Sequence, residues 1–317
     1  MKAVVVNAYG PPETYTVGEV PTPRPGPGQL QVRIAAASIN PGDLRLPSGD
    51  FHAVTPLPFP HVPGNDFAGT VTEVGAGVTT FAVGDEIFGF AAPRALRAMV
   101  GARPSVGTGT LAEYAVVEAD TPFLAHRPAG LPVEEAAALP TVGLTARALM
   151  AVAGVEPGET VLVIGATGGV GTTVVPLLAA AKARVTATAT DADAALLRTL
   201  GAAETIGYAG SEYPADVDVV LNLVVPGDRL AGLARALRPG GRLVTITFPV
   251  PQPEWLGRDD VDLRFVLDMD GVHGGMREVA LDGLTAVIGG RYSLDDGVRA
   301  IVDFAGRHTT GKLVVTM

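Results

Sequence analysis

The chain has 317 residues, of which 47% are hydrophobic and 18% are charged, so it can bury a sizeable core and disorder is excluded. Its formal net charge of -10 argues against a nucleic-acid groove or an anionic membrane surface as the main partner. The absence of cysteine excludes disulfides, thiol nucleophiles, thiolate zinc sites and iron–sulfur clusters.

The first part of the chain consists of short β-branched runs separated by turn residues. Such runs are Ala3–Val6, Gln31–Ile34, Gly69–Val74 and Gly84–Phe90. Proline is concentrated in the same region, where 12 of the 26 prolines precede residue 64. Short strands with frequent turn signals predict an irregular antiparallel β domain.

Strand and helix signals alternate from about residue 130 onwards. The segment Pro132–Val152 is rich in Ala and Leu and has two Glu near its start, which predicts a helix. The predicted strands that follow are Thr160–Ile164, Ala183–Thr188, Val217–Leu223 and Arg242–Thr247, and the predicted helices are Thr172–Lys182, Asp193–Leu200 and Asp228–Leu237. This alternation predicts a parallel sheet covered by helices. A helix over Leu294–Gly306 and a strand over Lys312–Met317 complete the prediction.

Residues 160–181 carry no charged side chain, over a length that would suffice to cross a membrane. The glycine-rich segment within this stretch divides it into a β-branched run and a later helical run. A strand, a turn and a helix therefore explain the stretch better than a membrane span.

The most specific motif is the glycine turn, Gly165–Gly171 (GATGGVG), which follows an apolar strand. Gly168 and Gly169 leave no side chain between the backbone and a bound pyrophosphate, and the next helix directs its free N–H groups at the phosphates. Gly171 allows that helix to pack close to the sheet. Between a strand and a helix, such a turn predicts a dinucleotide site, and a tight turn without a ligand is the alternative.

The end of the second strand of this unit bears on the choice between NADPH and NADH. An NAD site favours a carboxylate there, which accepts from the ribose 2′-hydroxyl. This chain has Thr188, Ala189 and Thr190 instead, followed by Asp191. Small hydroxylated residues leave room for a 2′-phosphate and can donate to it, so we predict NADPH. The alternative is that these threonines are ordinary strand residues.

Ordered segments along nearly the whole chain carry a family resemblance. They are residues 40–43 (NPGD), 63–69 (PGNDFAG), 74–78 (VGAGV), 81–85 (FAVGD), 139–146 (LPTVGLTA), 166–171 (ATGGVG), 238–242 (RPGGR) and 311–312 (GK). In this order they resemble the medium-chain dehydrogenase/reductase superfamily, and in particular its zinc-independent, quinone oxidoreductase-like branch.

The resemblance implies an α/β chain with two domains. A GroES-like β domain would comprise residues 1–126 and 271–317, and a Rossmann domain with a doubly wound parallel sheet would comprise residues 127–270. It also implies NADPH-dependent hydride transfer, without zinc, to a quinone or an α,β-unsaturated carbonyl compound. Members of this branch usually form homodimers through edge strands, here near Leu263–Leu267.

Two positions depart from the branch. The Tyr often found about eleven positions after the motif Asn is replaced by Phe51, which precedes His52. The basic residue often found past the second strand is replaced by Ala194. The first departure bears on the identity of the proton donor, and the second counts against the preference for NADPH.

Reduction of an enone needs hydrogen-bond donors that stabilise negative charge on the carbonyl oxygen, and a proton source. Asn40 is the first catalytic candidate, because its amide could contact the nicotinamide ribose or the substrate oxygen; a turn-forming role before Pro41 is the alternative. His52 is the candidate acid, because imidazole exchanges protons near neutral pH. An exposed loop histidine is the alternative for His52, and for His61 we favour a structural role.

The predicted cofactor-binding residues are Asn40, Thr141, Gly168, Gly169, Val170, Thr188, Thr190, Tyr208, Asn222, Thr247, Phe248 and Lys312. Asp43 and Asp66 match motif positions, where each could cap a turn or serve the site. No metal-binding residues are predicted.

Two further functions stay open. The stretch Arg94–Thr108 contains Arg94, Arg97 and Arg103, which would suit a carrier-bound enoyl thioester in a biosynthetic pathway or simply form a solvated face. Phe51 in place of the motif Tyr also leaves a catalytically weak NADPH-binding protein open. We expect a small-molecule substrate, neither nucleic acid nor membrane as a partner, no signal peptide, and a cytoplasmic location.

Overall fold

The computed structural model describes residues 1–97, 106–209 and 213–317. The chain divides into two compact units, one formed by Met1–Leu144 with Met269–Met317 and the other by Thr145–Asp268. The first boundary lies later in the chain than residue 126, because the helix Val133–Ala138 packs on strands of the first unit. Among the described residues, no helix is long and apolar enough to cross a membrane.

The first unit is built around an antiparallel sheet. Its strands up to residue 126 are β1 (Lys2–Val5), β2 (Thr16–Glu19), β3 (Gln29–Ser38), β4 (Asp66–Val74), β5 (Glu86–Phe90), β6 (Ala92–Pro93), β7 (Val106–Gly107), β8 (Tyr114–Glu118) and β9 (Leu124–His126). The pair β1–β2 stands apart, and the other strands lie in the order β6-β7-β8-β3-β4-β5-β9. The short helix α1 (Gly42–Arg45) lies between β3 and β4. The predicted GroES-like β domain is confirmed as this irregular sheet.

Two helices, α2 (Val133–Ala138) and α3 (Pro140–Ala153), replace the single helix predicted over Pro132–Val152. The break coincides with Pro140, which has no N–H to donate within a helix but is well suited to the first position of one. The proline therefore starts α3 and ends the preceding helix.

The second unit alternates strands and helices. In chain order these are β10 (Thr160–Ile164), α4 (Gly169–Ala180), β11 (Arg184–Thr188), α5 (Asp191–Thr199), β12 (Glu204–Ile206), β13 (Val217–Asn222), α6 (Ala231–Ala234), β14 (Leu237–Thr245) and β15 (Asp262–Phe265). The six strands are parallel and lie in the order β12-β11-β10-β13-β14-β15. The order reverses between β10 and β13, which makes this the switch point where ligands of doubly wound sheets bind.

Both faces of the parallel sheet are buried. Val161 and Val163 of β10 belong to one hydrophobic cluster, whereas Leu162 and Ile164 belong to another. Successive strand residues point to opposite faces, so an uninterrupted apolar run serves both. Helix α4 covers the first face and α6 the second. The predicted Rossmann domain is therefore confirmed.

The helix predicted over Asp228–Leu237 is wrong at its carboxyl end. A single 3₁₀ turn, Gly227–Arg229, precedes α6, and Leu237 is already the first residue of β14, where it pairs with Val217. Leu237 is buried in the sheet, so tertiary packing overrides its helix propensity.

The C-terminal tail belongs to the first unit. It contains α7 (Met276–Leu281), β16 (Ile288–Ser293), α8 (Gly297–Gly306) and β17 (Lys312–Thr316). β17 pairs parallel with β16 and antiparallel with β3, with Val314 opposite Ser38. This pairing brings Lys312 to the end of the central strand of the first unit.

Candidate functional site

The glycine turn connects the carboxyl end of β10 to α4, as predicted. Gly165 has a φ of +85°, a left-handed conformation that favours glycine. Gly168 directly precedes α4, with φ −71° and ψ 174°. A Cβ atom built on Gly171 would lie 2.4 Å from the carbonyl oxygen of Ala166, so this glycine permits the close approach of the helix to the turn.

The turn fits a bound pyrophosphate. The nearest atom to a Cβ built on Gly168 is the carbonyl oxygen of Gly165, at 3.5 Å, so the space beside Gly168 is open. The N–H groups of the first turn of α4, beginning at Gly169, have no acceptor within the helix. Open space beside free N–H groups and a positive helix end suits an anion. Gly168, Gly169 and Val170 are therefore the residues that would hold the pyrophosphate of a dinucleotide.

Four other residues of the predicted cofactor-binding set lie at the same edge of the sheet. Thr188 ends β11 and Asn222 ends β13. Tyr208 follows β12 and Thr247 follows β14. Ligands of open parallel sheets bind outside the carboxyl ends of the strands. The topology thus gathers these residues around the glycine turn.

Thr188 is placed differently from the prediction. Its side chain is fully buried, and its hydroxyl accepts a hydrogen bond from the N–H of Gly165 at 3.0 Å and donates to the carbonyl oxygen of Val163 at 3.3 Å. The hydroxyl therefore ties β11 to the glycine turn and is not free to donate to a 2′-phosphate. Thr190 donates its hydroxyl proton to Asp193 Oδ2, 2.6 Å away, in the first turn of α5.

Asn222 and Thr247 organise the loop after β13. Asn222 is fully buried, and its Nδ2 donates to the carbonyl oxygen of Val225 at 2.7 Å and to the hydroxyl of Thr245 at 2.9 Å. Thr247 donates to the same Val225 carbonyl at 2.7 Å. These side chains shape the edge of the sheet from within, and their contact with a cofactor stays a prediction.

Tyr208 and Phe248 present accessible aromatic surface, with exposed fractions of 46% and 37%. The Tyr208 hydroxyl lies 3.3 Å from that of Thr167 in the glycine turn. The Phe248 ring packs edge-on against Phe265 of β15, with 5.3 Å between ring centroids. Exposed aromatic faces suit contact with the planar rings of a ligand.

In the first unit, a buried polar cluster surrounds Asp66, the first residue of β4. Its Oδ1 accepts from the backbone N–H of Thr141 at 3.1 Å and from the Thr141 hydroxyl at 2.7 Å. Its Oδ2 accepts from the Ser38 hydroxyl at 3.1 Å, from Asn40 Nδ2 at 2.9 Å and from the Lys312 ammonium at 3.3 Å. One carboxylate therefore joins β3, α3 and β17 to β4.

Lys312 is a second centre of this cluster. Its ammonium group also donates to the carbonyl oxygen of Ile39 at 2.8 Å and to Asn40 Oδ1 at 2.6 Å. Burial lowers the pKa of Lys312, and the charges of Asp66 and Asp43 oppose that effect. With three acceptors around its three protons, the ammonium is held by hydrogen bonds on all sides.

Asp43 holds the loop between β3 and α1. Its carboxylate accepts from the N–H of Asn40 and from the N–H of Gly64, each at 2.8 Å. Burial raises the pKa of Asp43 to about 6, against the lowering effect of these two hydrogen bonds. Asp43 thereby fixes the segment that carries Asn40 against the turn that precedes β4.

Three predicted cofactor contacts, Asn40, Thr141 and Lys312, thus meet at Asp66. Their polar atoms are directed at one another and at Asp66, and their contact with a cofactor stays a prediction. This arrangement follows from long-range packing, because Lys312 and Asp66 are 246 residues apart. The sequence predicts for Asp66 either a turn cap or a role in the site, and a carboxylate at the start of a buried strand is the signal of such a centre.

His52 lies in an exposed loop. Its Nδ1 is 2.8 Å from the carbonyl oxygen of Gly49, and its ring lies 6.0 Å from that of Tyr9, centroid to centroid. The preceding Phe51 packs under the guanidinium of Arg45, 5.0 Å from the ring centroid. His52 therefore belongs to a local aromatic group of the first unit, and its role as the catalytic acid stays a prediction.

His61 gives a pH-dependent prediction. Burial lowers the pKa of His61 to about 4, from its usual 6.5. Protonation therefore favours the unfolded chain, and stability is lost as the pH falls from 6.5 towards 4. Relative to His61→Gln, wild-type protein should lose about 3 kcal/mol of unfolding free energy over this window.

Denaturant unfolding of both proteins at pH 4 to 7 measures this difference. The raised pKa of Asp43 acts in the opposite direction, because stability from that group falls as the pH rises towards 6. Both proteins contain Asp43, so subtraction removes its contribution. If the difference in unfolding free energy between wild type and His61→Gln did not change with pH, the effect of burial on His61 would be contradicted.

The arginine stretch offers little support for an anionic carrier group. Arg97 pairs with Glu118 at 2.7 Å, and Arg103 lies outside the described residues.

Within the described ranges, no group of three or more His, Cys, Asp or Glu side chains could hold a metal ion.

Comparison with known proteins agrees with this architecture. Residues 26–128 match the alcohol dehydrogenase GroES-like domain, and residues 200–315 match the zinc-binding dehydrogenase domain. The chain is 32% identical over 330 residues to a 2-methylene-furan-3-one reductase of Solanum lycopersicum, covering 99% of this chain and 79% of that protein.

Two further matches extend over nearly complete chains. A chloroplastic quinone oxidoreductase of Triphysaria versicolor is 31% identical over 339 residues, covering 99% of this chain and 98% of that one. The structure of a mycobacterial protein in complex with NADPH superposes with a TM-score of 0.84 at 28% identity, covering 100% of both chains.

Proposed function

Because this chain belongs to the medium-chain dehydrogenase/reductase family and is an oxidoreductase, we propose that it reduces quinones or α,β-unsaturated carbonyl compounds with NADPH and without zinc. The observation that carries this proposal is the glycine turn between β10 and α4, at the switch point of the parallel sheet. The names of the two relatives support the class of acceptor, and the NADPH complex of the structural neighbour supports the cofactor.

The proposed cofactor supplies a hydride when it is bound. Gly168, Gly169 and Val170 would hold its pyrophosphate through backbone N–H groups. Tyr208 and Phe248 offer the accessible aromatic surface at the same edge of the sheet. Tyr208 is the residue to which we assign contact with the 2′-phosphate, because it is 46% exposed at this edge whereas Thr188 is fully buried.

The chain's part in the reduction is to bind and orient the acceptor and to stabilise charge. Reduction of a carbon–carbon double bond next to a carbonyl places negative charge on the carbonyl oxygen. Positioned hydrogen-bond donors in a site that excludes water stabilise this charge most effectively. Asp43 and Asp66 hold the segments that precede α1 and β4 through buried hydrogen bonds. Hydrogen-bond donors on these two segments are therefore fixed in position before the acceptor binds.

We also propose a homodimer formed through β15. This strand is one of the two outer strands of the six-stranded sheet, and it overlaps the segment predicted to pair between subunits. An outer strand has N–H and C=O groups on one side that its own sheet does not pair, and these can bond to a second copy.

Oxidation of NADPH with three acceptor classes tests the function. We expect turnover with 9,10-phenanthrenequinone or with 2-alkenals, lower turnover with NADH, and activity that persists after a chelator wash. Turnover confined to crotonyl thioesters would favour a reductase of carrier-bound substrates. Tight NADPH binding without turnover of any acceptor would contradict the proposal and indicate a cofactor-binding protein without catalysis.

A further inference from the structure

Asn222 places a polar side chain at the carboxyl end of β13, in the second unit. The three residues before it, Val219–Leu221, are fully buried and apolar, and Asn222 itself is fully buried. In the parallel register it lies opposite Thr245, the last residue of β14. Burial of an amide costs free energy unless its polar groups are paired. A polar residue at this position is therefore explained by the partners that it holds.

The Asn222 amide holds one peptide group of the following loop at two points. Its Oδ1 accepts from the N–H of Val225 at 2.9 Å, and its Nδ2 donates to the Val225 carbonyl oxygen at 2.7 Å. Paired in this way, the amide uses its acceptor and one of its donors on the same residue. The loop from Leu223 to Gly227, which we call the β13 loop, is thus fixed at its middle.

The same amide links the β13 loop to the segment after β14. Its Nδ2 also lies within hydrogen-bond distance of the hydroxyls of Thr245, at 2.9 Å, and Thr247, at 3.1 Å. The Thr247 hydroxyl donates in turn to the Val225 carbonyl oxygen at 2.7 Å. We call these four residues the Asn222 network, and residues 246–250 the β14 loop. The network joins the two loops through side chains buried between them.

Backbone contacts complete this arrangement. A Cβ atom built on Gly227 would overlap the carbonyl oxygen of Pro249, so glycine permits the β13 loop to touch the β14 loop. The N–H of Leu223 donates to the carbonyl oxygen of Ile164, the last residue of β10, at 3.0 Å. Both loops are consequently held to each other and to the strand that leads into the glycine turn.

The two loops expose apolar side chains beside the glycine turn. A Cβ atom built on Gly165 would lie 3.1 Å from Val224 Cγ1, and Val224 is 60% exposed. Phe248 and Val250 of the β14 loop are exposed as well. Ligand sites are lined mainly by apolar and aromatic side chains on a largely preformed surface. An accessible apolar surface next to the turn suits a further part of the dinucleotide whose pyrophosphate the turn would hold.

The strand order indicates which part of the dinucleotide that is. The order β12-β11-β10-β13-β14-β15 corresponds to two mononucleotide-binding halves that meet at the glycine turn. The adenosine ribose belongs to the half that contains β11, whose end follows the turn by about 20 residues. The nicotinamide half of a dinucleotide therefore belongs on the side of β13 and β14, where the Asn222 network lies.

We propose that Asn222 is a positioning residue for the nicotinamide half of NADPH, and that it acts through Val225 and Thr247 by fixing the β13 and β14 loops. This inference rests on the proposed function. A buried network whose members are paired is rigid, so the loops keep one shape before the cofactor binds, and binding does not have to order them. On the adenosine side, the Gly165 N–H is held by Thr188, so that side of the turn does not depend on Asn222.

Calorimetric titration with two ligands tests the proposal. NADPH occupies both halves of the site, whereas 2′,5′-ADP contains only the adenosine part with its phosphates. For Asn222→Ala we expect the Kd of NADPH to rise about tenfold, as for the loss of one hydrogen bond, and the Kd of 2′,5′-ADP to stay within about twofold of wild type.

Thr247→Val tests the same network with a smaller change, and it replaces Asn222→Ala if that variant fails to fold. Valine keeps the shape of threonine and removes the hydroxyl that bonds to Val225. We expect this variant to weaken NADPH binding in the same selective way, by about threefold. Thr247→Ser restores a hydroxyl and should recover NADPH affinity relative to Thr247→Val.

Thr160→Val is the matched control. The Thr160 hydroxyl donates to Asp218 Oδ2 at 2.8 Å, at the amino ends of β10 and β13 and therefore at the opposite edge of the same sheet. Asn222→Ala and Thr160→Val both remove side-chain hydrogen bonds between elements of the second unit, so both should lower the melting temperature. Only Asn222→Ala should separate the affinity for NADPH from the affinity for 2′,5′-ADP.

The two ligands also distinguish the ways in which the proposal can fail. If Asn222→Ala and Thr247→Val weakened both ligands equally, Asn222 would support the sheet as a whole and the inference would be overturned. Unchanged affinity for both ligands would overturn it as well. A wild-type protein that binds neither NADPH nor 2′,5′-ADP would instead overturn the proposed function.

Discussion

Gly168→Val should abolish measurable NADPH binding while the protein stays folded. The residue has φ −71° and ψ 174°, values that any amino acid adopts, so no backbone strain is added. A Cβ at this position meets only the Gly165 carbonyl oxygen, at 3.5 Å, so the new side chain enters the open space proposed for the pyrophosphate. Two lost charge-assisted hydrogen bonds of about 1.5–3 kcal/mol each would weaken binding by roughly two to four orders of magnitude.

Calorimetric titration with NADPH, beside a thermal melt of the apoprotein, measures both effects. Gly232→Val is the matched control, because a Cβ on Gly232 lies 3.8 Å from a flexible arginine side chain in the same unit. Gly171→Val should mainly lower the melting temperature of the apoprotein, since its Cβ would lie 2.4 Å from the Ala166 carbonyl oxygen and displace the helix from the turn. A folded Gly168→Val protein with wild-type affinity would show that the motif is only a turn.

Asp66→Ala should destabilise the first unit more than any surface substitution. The carboxylate is fully buried and accepts bonds from Thr141, Ser38, Asn40 and Lys312. Its removal takes from the buried Lys312 ammonium the carboxylate to which it is hydrogen-bonded. Breaking such a pair costs about 3–5 kcal/mol, a large part of the 5–15 kcal/mol by which proteins are stable.

Thermal and denaturant unfolding of four variants test this expectation. Asp295→Ala is the control, because its pair with Lys2 has a similar 2.8 Å separation but exposed side chains of 73% and 40%, for which less than about 1 kcal/mol is expected. The double variant Asp66→Leu/Lys312→Met should recover part of the loss, because both buried charges disappear together. Lys312→Met alone should be less damaging, since Asp66 keeps its other donors. Equal melting temperatures for Asp66→Ala and Asp295→Ala would contradict the prediction.

Some features of this protein follow from local sequence. The strand β10 and the glycine turn occupy the predicted positions, and α4 begins three residues earlier than the helix predicted over Thr172–Lys182. An apolar run, a left-handed glycine and a helix are each specified by neighbouring residues. The alternation of strands and helices in the second unit is also specified by local sequence. Because a helix connects successive strands, this alternation implies a parallel sheet. Family resemblance adds the order of the two units, since its motifs span the chain.

The directions of the polar side chains were decided by tertiary structure alone. Thr188 and Asn222 lie at the predicted edge, yet their polar groups are paired within the protein, because a buried polar group must be paired. The Thr188 hydroxyl bonds to Gly165 and the Asn222 amide to the Thr245 hydroxyl, each across 23 residues. Lys312 meets Asp66 across 246 residues only because β17 pairs with β3. The same long-range packing leaves the buried Asn65 amide oxygen without a hydrogen-bond partner among the described residues. No periodicity or motif encodes that outcome, since it depends on which atoms the complete fold brings within hydrogen-bond distance.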